Sequence, residues 1–194
     1  MKNYYKNLKL LTKNHVYSKE MEHDACGVGV IVSTEGKKSR EIVEHGINAL
    51  KAVWHRGAVD ADGKTGDGAG IHVEIPKDFF IEKIEVTGHD YDNAEICVGM
   101  IFLPRNDYSA QESCKTIVES ELTKNNFSIY GWRQVPVNSK ILGQKALQTM
   151  PEIIQVLFKS NDQDLLEKDL ERKIYETRKK IEKKAFQLSL NNFY

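Results

Sequence analysis

A cysteine stands directly before a glycine-punctuated apolar run near the start of the chain. Cys26 follows the residues EHDA and leads into GVGVIV at 27–32. If the residues before Cys26 were removed, one residue would carry a thiol with a pKa of about 8.5 and a free α-amine with a pKa of about 7.7–8.0. The two groups could act as nucleophile and base. The alternative is a buried structural cysteine, and the Cys-Gly pair alone does not exclude it.

A basic segment, WHRGA at 54–58, follows the first predicted helix. The planar guanidinium of Arg56 could bind a carboxylate or brace the strand that begins after Cys26. The alternative is a cation that complements the negative end of the helix dipole. Both interpretations of Arg56 remain open at the level of the sequence.

A second glycine-rich segment, TGDGAG at 65–70, resembles a phosphate-binding loop in its spacing only. It lacks the Lys-Ser/Thr ending of a P-loop, and it precedes a predicted strand instead of opening a helix. We therefore predict a structural loop formed by Gly66, Asp67 and Gly68. The glycines would allow tight turns with positive φ, and Asp67 would accept hydrogen bonds from nearby backbone N–H groups.

The histidines and cysteines do not form a metal-binding pattern. Only His23 and Cys26 have ligand-like spacing, and two ligands do not make a zinc site, so we predict no metal. Cys97 lies in the most apolar run and Cys114 in an amphipathic helix, which predicts that both are core residues. Three cysteines without paired spacing indicate a reducing compartment.

The composition restricts the class of protein. The chain has 194 residues, 28 of them basic and 28 acidic, so it carries no net charge that would attract nucleic acid or an anionic membrane. No apolar run is long enough to span a bilayer. The first twenty residues contain lysines but no apolar core of an export signal. These features predict a cytoplasmic, soluble protein.

Apolar periodicity divides the rest of the chain into alternating elements and predicts an α/β (α+β) fold. Helices are predicted at 40–54, with Ser39 as N-cap, at 109–124 and at 162–184. The predicted strands are 28–33, 71–75, 97–103, 127–137 and 153–158, and 186–194 is strand-like. The dense charge on 162–184 indicates a solvated helix face.

Six motifs, in this order, resemble the start of glutamate synthase large chains. They are DACGVG at 24–29, HRGA at 55–58, TGDGAGI at 65–71, VGMIFLP at 98–104, GWRQVPV at 131–137 and PEIIQV at 151–156. The resemblance covers nearly all of 22–190. It implies a propeptide or leader at 1–25 and a partial class II glutamine amidotransferase domain at 26–194.

The resemblance also implies a fold and a reaction. The fold would be the N-terminal-nucleophile αββα four-layer sandwich, incomplete at its C-terminal side. Cys26, once at the N-terminus, would attack the side-chain amide of L-glutamine, release ammonia and form a glutamyl thioester that water hydrolyses to glutamate. Arg56 would be the active-site arginine, and Gly27 would begin the nucleophile's strand. The ammonia would be transferred to 2-oxoglutarate.

The same resemblance assigns cofactors and partners. None is expected in this chain, whereas FMN and an iron–sulfur cluster are implied for the full-length enzyme. The implied partners are the rest of the large chain and its small subunit or electron donor. The family's domain extends past residue 194 and there supplies the oxyanion hole and substrate anchors, so we expect this fragment alone to be inactive and prone to self-association.

Two alternatives remain open. One is a different class II amidotransferase, although the motifs at 65–71 and 131–137 argue against it. The other is a non-catalytic fragment or accessory module that associates with a complete subunit, with the helix at 162–184 as its interface.

Overall fold

The computed structural model describes residues 6, 7, 9, 10, 13, 27–162, 165–190 and 192–194, and it describes Arg56 by its backbone only. The chain separates into two compact units. Unit 1 comprises Met1–Ala58 and Gly68–Ile71, and unit 2 comprises Val59–Asp67 and His72–Tyr194. No helix in the described part of the chain is long and apolar enough to cross a membrane.

The main element of unit 1 is helix α1, Arg40–Ala52. The Ser39 hydroxyl accepts a hydrogen bond from the Ile42 N–H at 3.3 Å, which satisfies one of the free N–H groups of the first turn. Glu41 in the first turn and Lys51 in the last both complement the helix dipole. The predicted helix and its N-cap are therefore confirmed.

The predicted strand at 28–33 is wrong within the described part of unit 1. The run is not assigned to a strand there. Val28, Val30 and Val32 are 89%, 80% and 71% exposed. Alternation of apolar residues gives the period of a strand, but a strand also needs a hydrogen-bonded neighbour, which the pattern does not specify. The same reason applies to the predicted strand at 71–75, which is also irregular.

Unit 2 contains the sheet and most of the helices. In chain order its main described elements are α2 Lys77–Val86, β1 Cys97–Leu103, α3 Tyr108–Lys124, β2 Phe127–Gln134, α4 Gln144–Thr149, β3 Glu152–Ser160 and α5 Glu167–Gln187. Five of them correspond to predicted elements: β1, α3, β2, β3 and α5. The α/β class predicted from alternating elements is confirmed in this coarse sense.

The strands form an antiparallel sheet in the order β1-β3-β2, with β3 in the centre. Cys97 lies opposite Phe158 in β3, and β2 carries an irregularity between Ile129 and Gly131. Gly131 has a φ of +152°, and a Cβ on it would stand 2.7 Å from Thr87 Cγ2. A glycine is therefore needed at this bulge.

Both faces of the sheet are packed by helices. One face meets α3 and α5 in a cluster built on Cys97, Val118, Leu122, Phe127, Val156 and Phe158. The other meets α2 in a cluster built on Phe80, Ile84, Ile96, Tyr130 and Leu157. The described core of unit 2 is thus one sheet between two helical layers.

Helix α2 was not predicted from the sequence. Pro76 was interpreted as the end of a strand, whereas it is the N-cap of α2. Phe80 and Ile84, four residues apart, are the buried face of this helix. The strand-like interpretation of 186–194 is also wrong for the described residues, because α5 includes 186 and 187 and no strand is assigned at 188–190 or 192–194.

Candidate active site

The predicted nucleophile, Cys26, lies outside the described residues. The next described residue is Gly27, which is exposed and belongs to no helix or strand. A Cβ added at Gly29 would meet no heavy atom within 4 Å, so the chain that follows the cysteine is open to approach.

The C-terminal end of α1 positions Arg56. Val53 ends the helix by donating its N–H to Ala49 O at 3.3 Å, and the chain then enters a 3-10 turn, Trp54–Arg56. Gly57 N–H donates to Trp54 O at 3.0 Å and closes this turn. The backbone of Arg56 therefore lies just beyond the negative end of the α1 dipole. Its side chain lies outside the described atoms.

The glycine-rich segment is preceded by a closed loop in unit 2. Val59 and Gly66 form an antiparallel bridge, Asp60 N–H donates to Thr65 O at 2.7 Å, and Gly63 N–H donates to Asp60 O at 2.9 Å. Gly63 has a φ of +67°, whereas Gly68 does not adopt a positive φ. The predicted need for positive φ is therefore met at Gly63, before the TGDG motif, and the prediction for Gly68 is wrong.

Asp62 is the carboxylate that caps this loop. It accepts hydrogen bonds from the backbone N–H groups of Lys64 at 2.9 Å and Thr65 at 2.7 Å, and from the Thr65 hydroxyl at 2.6 Å. The Thr65 side-chain hydrogen bond is the main cause that lowers the pKa of Asp62 to about 2. Asp62 was not selected from the sequence, although the Asp-x-x-Thr spacing at 62–65 is typical of a capped turn. The expected acceptance of backbone hydrogen bonds by Asp67 stays a prediction.

The loop is fastened to the start of α4. Lys145 Nζ forms an ion pair with Asp60 Oδ2 at 2.6 Å. Gly143 packs so closely against the loop that a Cβ on it would stand 2.5 Å from the Thr65 backbone nitrogen. Gly66 and Asp67 therefore follow an anchored turn within unit 2, while Gly27, Arg56 and Gly68 belong to unit 1.

The other two cysteines are buried in the core of unit 2. Cys97 is 5% exposed, and burial raises its pKa to about 12. Cys114 is fully buried, and burial raises its pKa as well. Neither side chain is a thiolate at neutral pH, so both agree with the predicted core role.

A comparison with protein families decides the class of this chain. The family described as glutamine amidotransferases class-II matches residues 26–194. The chain belongs to this family. The first matched residue is Cys26, the cysteine that sequence analysis selected.

Relatives of this amidotransferase chain confirm the resemblance to glutamate synthase large chains. It is 50% identical to the glutamate synthase (NADPH) large chain of Azospirillum brasilense over 97% of its own length and 12% of that relative's. It is 40% identical to ferredoxin-dependent glutamate synthase 1 of Arabidopsis thaliana over 84% of its own length and 10% of the relative's. The chain thus spans about a tenth of the length of these curated relatives.

A cleft in unit 2 is lined by none of the residues selected from the sequence of this amidotransferase chain. It has a volume of about 980 Å³ and lies at the end of β1. Its lining includes Phe102, Arg105, Asp107, Met150 and Tyr194. Among the described residues, no group of three or more His, Cys, Asp or Glu side chains is placed to hold a metal ion.

Proposed function

We propose that this chain is the glutamine-hydrolysing part of a glutamate synthase large chain, with Cys26 as its nucleophile. The observation that carries the proposal is the start of the family match at Cys26. Glutamate synthase large chains are relatives across nearly the whole chain, which supports the same reaction class.

Removal of residues 1–25 is the step that creates the catalytic group. In the uncleaved chain the Cys26 nitrogen is an amide without basicity. After cleavage it is an amine with a pKa of about 7.7–8.0, which accepts the proton of the thiol at neutral pH. Cleavage therefore converts a latent cysteine into an activated nucleophile.

The reaction then proceeds in two steps. The Cys26 sulfur attacks the side-chain carbonyl carbon of glutamine, and the protonated α-amine delivers its proton to the departing nitrogen, so that the C–N bond breaks and ammonia leaves. Water next attacks the resulting thioester and releases glutamate and the Cys26 thiol. No redox change occurs, and both steps use the same amine.

The other selected residues have supporting roles in this proposal. Arg56, at the end of α1, binds the carboxylate of glutamine or braces the chain that follows Cys26. Gly27 lets the substrate approach the sulfur without a side chain in between. The turn capped by Asp62 and fastened by Gly143 holds the start of the loop formed by Gly66, Asp67 and Gly68.

The finer fold that we propose is the N-terminal-nucleophile αββα sandwich. The described sheet and the helices α3 and α5 on one of its faces would supply an outer helical layer and one sheet. The second sheet of that fold is not among the elements that the described residues form.

The FMN and the iron–sulfur cluster belong to other parts of the full-length enzyme in this proposal. Iron–sulfur clusters are bound by cysteine thiolates that converge on one site, whereas Cys97 and Cys114 are buried in separate core clusters. The glycine-rich segment at 65–70 does not open a helix, so it lacks the helix N-terminus that binds a phosphate. The residues present therefore do not fit either group.

We propose that the chain works with the rest of a large chain and with a small subunit or electron donor. The relative that is 50% identical is named for NADPH, and the ferredoxin-dependent relative from Arabidopsis thaliana is less similar, at 40%. This difference favours NADPH as the source of electrons.

The test is a comparison of nitrogen sources in the full-length large chain assembled with its partners. Cys26→Ala should abolish glutamate formation from glutamine and 2-oxoglutarate, while formation from added ammonium salt should persist, because ammonia bypasses the hydrolysis. Cys114→Ala, which removes a buried thiol, is the matched control and should retain both activities. Retention of the glutamine-dependent activity by Cys26→Ala would refute the proposal.

A further inference from the structure

A polar pair lies on the sheet face that helix α2 covers in part. Arg133 in β2 and Met100 in β1 both lie opposite Gln155 in the central strand β3, and residues opposite one another in a sheet share a face. Gln155 is two positions from Leu157, which packs in one cluster with Phe80 of α2, so this row belongs to the α2 face. Gln155 is 8% exposed, whereas Met100 is 47% exposed. The row is therefore buried at its centre and open at one end.

The hydrogen bond between Arg133 and Gln155 fixes the orientation of the amide. Arg133 Nη1 donates to Gln155 Oε1 at 2.7 Å. A guanidinium has donors only, so the amide oxygen must face Arg133 and the amide NH2 group must point away from it. Within the described part of the chain, this NH2 group forms no hydrogen bond. A side chain that is more than nine-tenths buried thus presents two unused N–H donors.

Arg133 is held by contacts that leave most of its own donors unused. Its guanidinium carbon lies 5.1 Å from the centroid of the Phe79 ring in the first turn of α2, a cation–π contact that orients the group. No carboxylate of the described residues forms an ion pair with Arg133. Lys83 Nζ lies 5.0 Å from the centroid of the same ring and pairs with Glu82 at 3.8 Å. The charge of Arg133 is therefore the one that lacks compensation in this cluster of described residues.

The chemistry of these groups restricts what can bind to them. The unused groups are N–H donors beside a positive charge, and the apolar side chains of Phe79 and Met100 lie next to them. A carboxylate has one negative charge and two acceptor oxygens in a plane, which matches a guanidinium fork beside an amide NH2 group. A cation would be repelled, and a neutral amide would bring N–H donors of its own.

We propose that Arg133 and Gln155 form a carboxylate-binding site on the α2 face of the sheet. The free guanidinium donors of Arg133 and the NH2 group of Gln155 bind the same carboxylate, and Phe79 holds the guanidinium in place. A small organic acid and an Asp or Glu side chain of the polypeptide supply the same chemistry, and chemical labelling distinguishes these two sources. The inference goes beyond the proposed hydrolysis of glutamine and does not depend on Cys26.

The first test labels the native arginine in the full-length large chain. Phenylglyoxal modifies guanidinium groups, and peptide mapping by mass spectrometry gives the rate at each arginine. If the occupant is a small acid, sodium propionate should slow modification of Arg133 several-fold relative to sodium chloride at equal ionic strength. Propionamide, the neutral analogue, should not. Arg172, which is exposed on α5 and paired with Glu176, is the control and should react equally in all three solutions.

The second test identifies the source of the carboxylate through Arg133→Lys in the full-length large chain. A carbodiimide joins a carboxylate to an adjacent amine, so a carboxylate of the polypeptide at this site should become cross-linked to position 133. A small acid should instead be added to position 133 when isotope-labelled propionate is present. Lys64, an exposed lysine, measures unselective addition. Gln155→Leu in the same background removes the amide donors and should lower the yield of either product.

The outcomes separate the two sources and the failure of the inference. Slower modification of Arg133 in propionate, or labelled propionate at position 133 above the level at Lys64, assigns the site to a small acid. A cross-link from position 133 to an Asp or Glu side chain assigns it to the polypeptide. Absence of a propionate effect on native Arg133, together with absence of both products at position 133, would overturn the inference.

Discussion

Gly143 and Asp62, 81 positions apart in the sequence, are in direct contact, and the contact leaves no room for a side chain on Gly143. The Asp62 carboxylate also closes its own turn through Thr65. Because Lys145 binds Asp60 next to this contact, the start of α4 and the loop before Gly66 behave as one local structure.

This contact predicts the effect of a small substitution. Gly143→Ala should destabilise the protein by about 1–3 kcal/mol, since the new Cβ would overlap Asp62 and the backbone of Thr65. Gly68→Ala is the matched control, because a Cβ there meets no atom within 4 Å. Urea unfolding measures both free energies, and equal values for the two variants would contradict the contact.

The ion pair between Glu121 on α3 and Lys184 on α5 predicts that two lysine substitutions on α5 differ in their effect on stability. Glu121 is buried, its carboxylate pairs with Lys184, and this hydrogen bond lowers the pKa of Glu121. Lys184→Met should therefore destabilise the protein several-fold more than Lys179→Met, which breaks an exposed pair with Glu182.

A second substitution, which removes the charge of Glu121, tests the cause of that loss of stability. Adding Glu121→Gln to Lys184→Met should recover part of the lost stability, because the buried Glu121 charge is otherwise left with the longer ion pair to Lys124 at 3.7 Å. Additive losses in the double variant, measured by urea unfolding, would mean that the two side chains do not interact.

The hydrogen bonds of Asp92 predict that the stability of the fold depends on pH in the acid range. Asp92 accepts a hydrogen bond from the Tyr130 hydroxyl at 2.6 Å and pairs with Lys159. The Lys159 and Tyr130 hydrogen bonds lower the pKa of Asp92 to about 2. A carboxyl whose pKa is lower in the folded state stabilises the fold above its unfolded pKa of about 3.9 and loses this effect as the pH falls toward 2.

Asp92→Asn removes this titration and retains an oxygen that can accept the Tyr130 hydrogen bond. The difference in unfolding free energy between the native chain and the variant should reach about 1 kcal/mol at most at pH 6, because Asp92 is half exposed, and should shrink between pH of about 4 and 2. A difference that stays constant over this range would contradict the assignment.

Cys97 and Cys114 should both resist chemical modification in the folded chain. Cys97 and Cys114 are buried with raised pKa values, so an alkylating reagent at pH of about 8 should leave both unmodified in the folded chain. Denaturation in urea should expose both to modification. Peptide mapping by mass spectrometry measures the sites, and modification of Cys97 or Cys114 without denaturant would contradict the burial.

The parts of the fold that the sequence predicted are those with local signals. Ser39 and the apolar spacing after it specify α1, and the continuous apolar run at 97–103 specifies β1. The strand predicted at 28–33 is wrong because the period of an apolar run does not show whether another strand pairs with it. Helix α2 was not predicted because a proline can both end a strand and begin a helix. The four-residue spacing of Phe80 and Ile84 was the signal for a helix.

The candidate site likewise contains residues that the sequence predicted and contacts that it did not. Cys26 and Arg56 were selected by residue type and motif, and the family match begins at the first of them. The anchoring contact of Asp62 with Gly143 joins distant residues, so no local pattern predicts it. Asp62 was not selected from the sequence, although the Thr three residues after it donates the hydroxyl hydrogen bond to its carboxylate.

The most direct test of the account is the mass of the N-terminal peptide of the full-length large chain after incubation with an electrophilic glutamine analogue. We predict a chain that begins at Cys26 and carries one analogue on that residue. Cys26→Ser is the control and should carry none. A chain that begins upstream of Cys26 without an analogue, or an analogue attached to a different residue, would contradict the central claim.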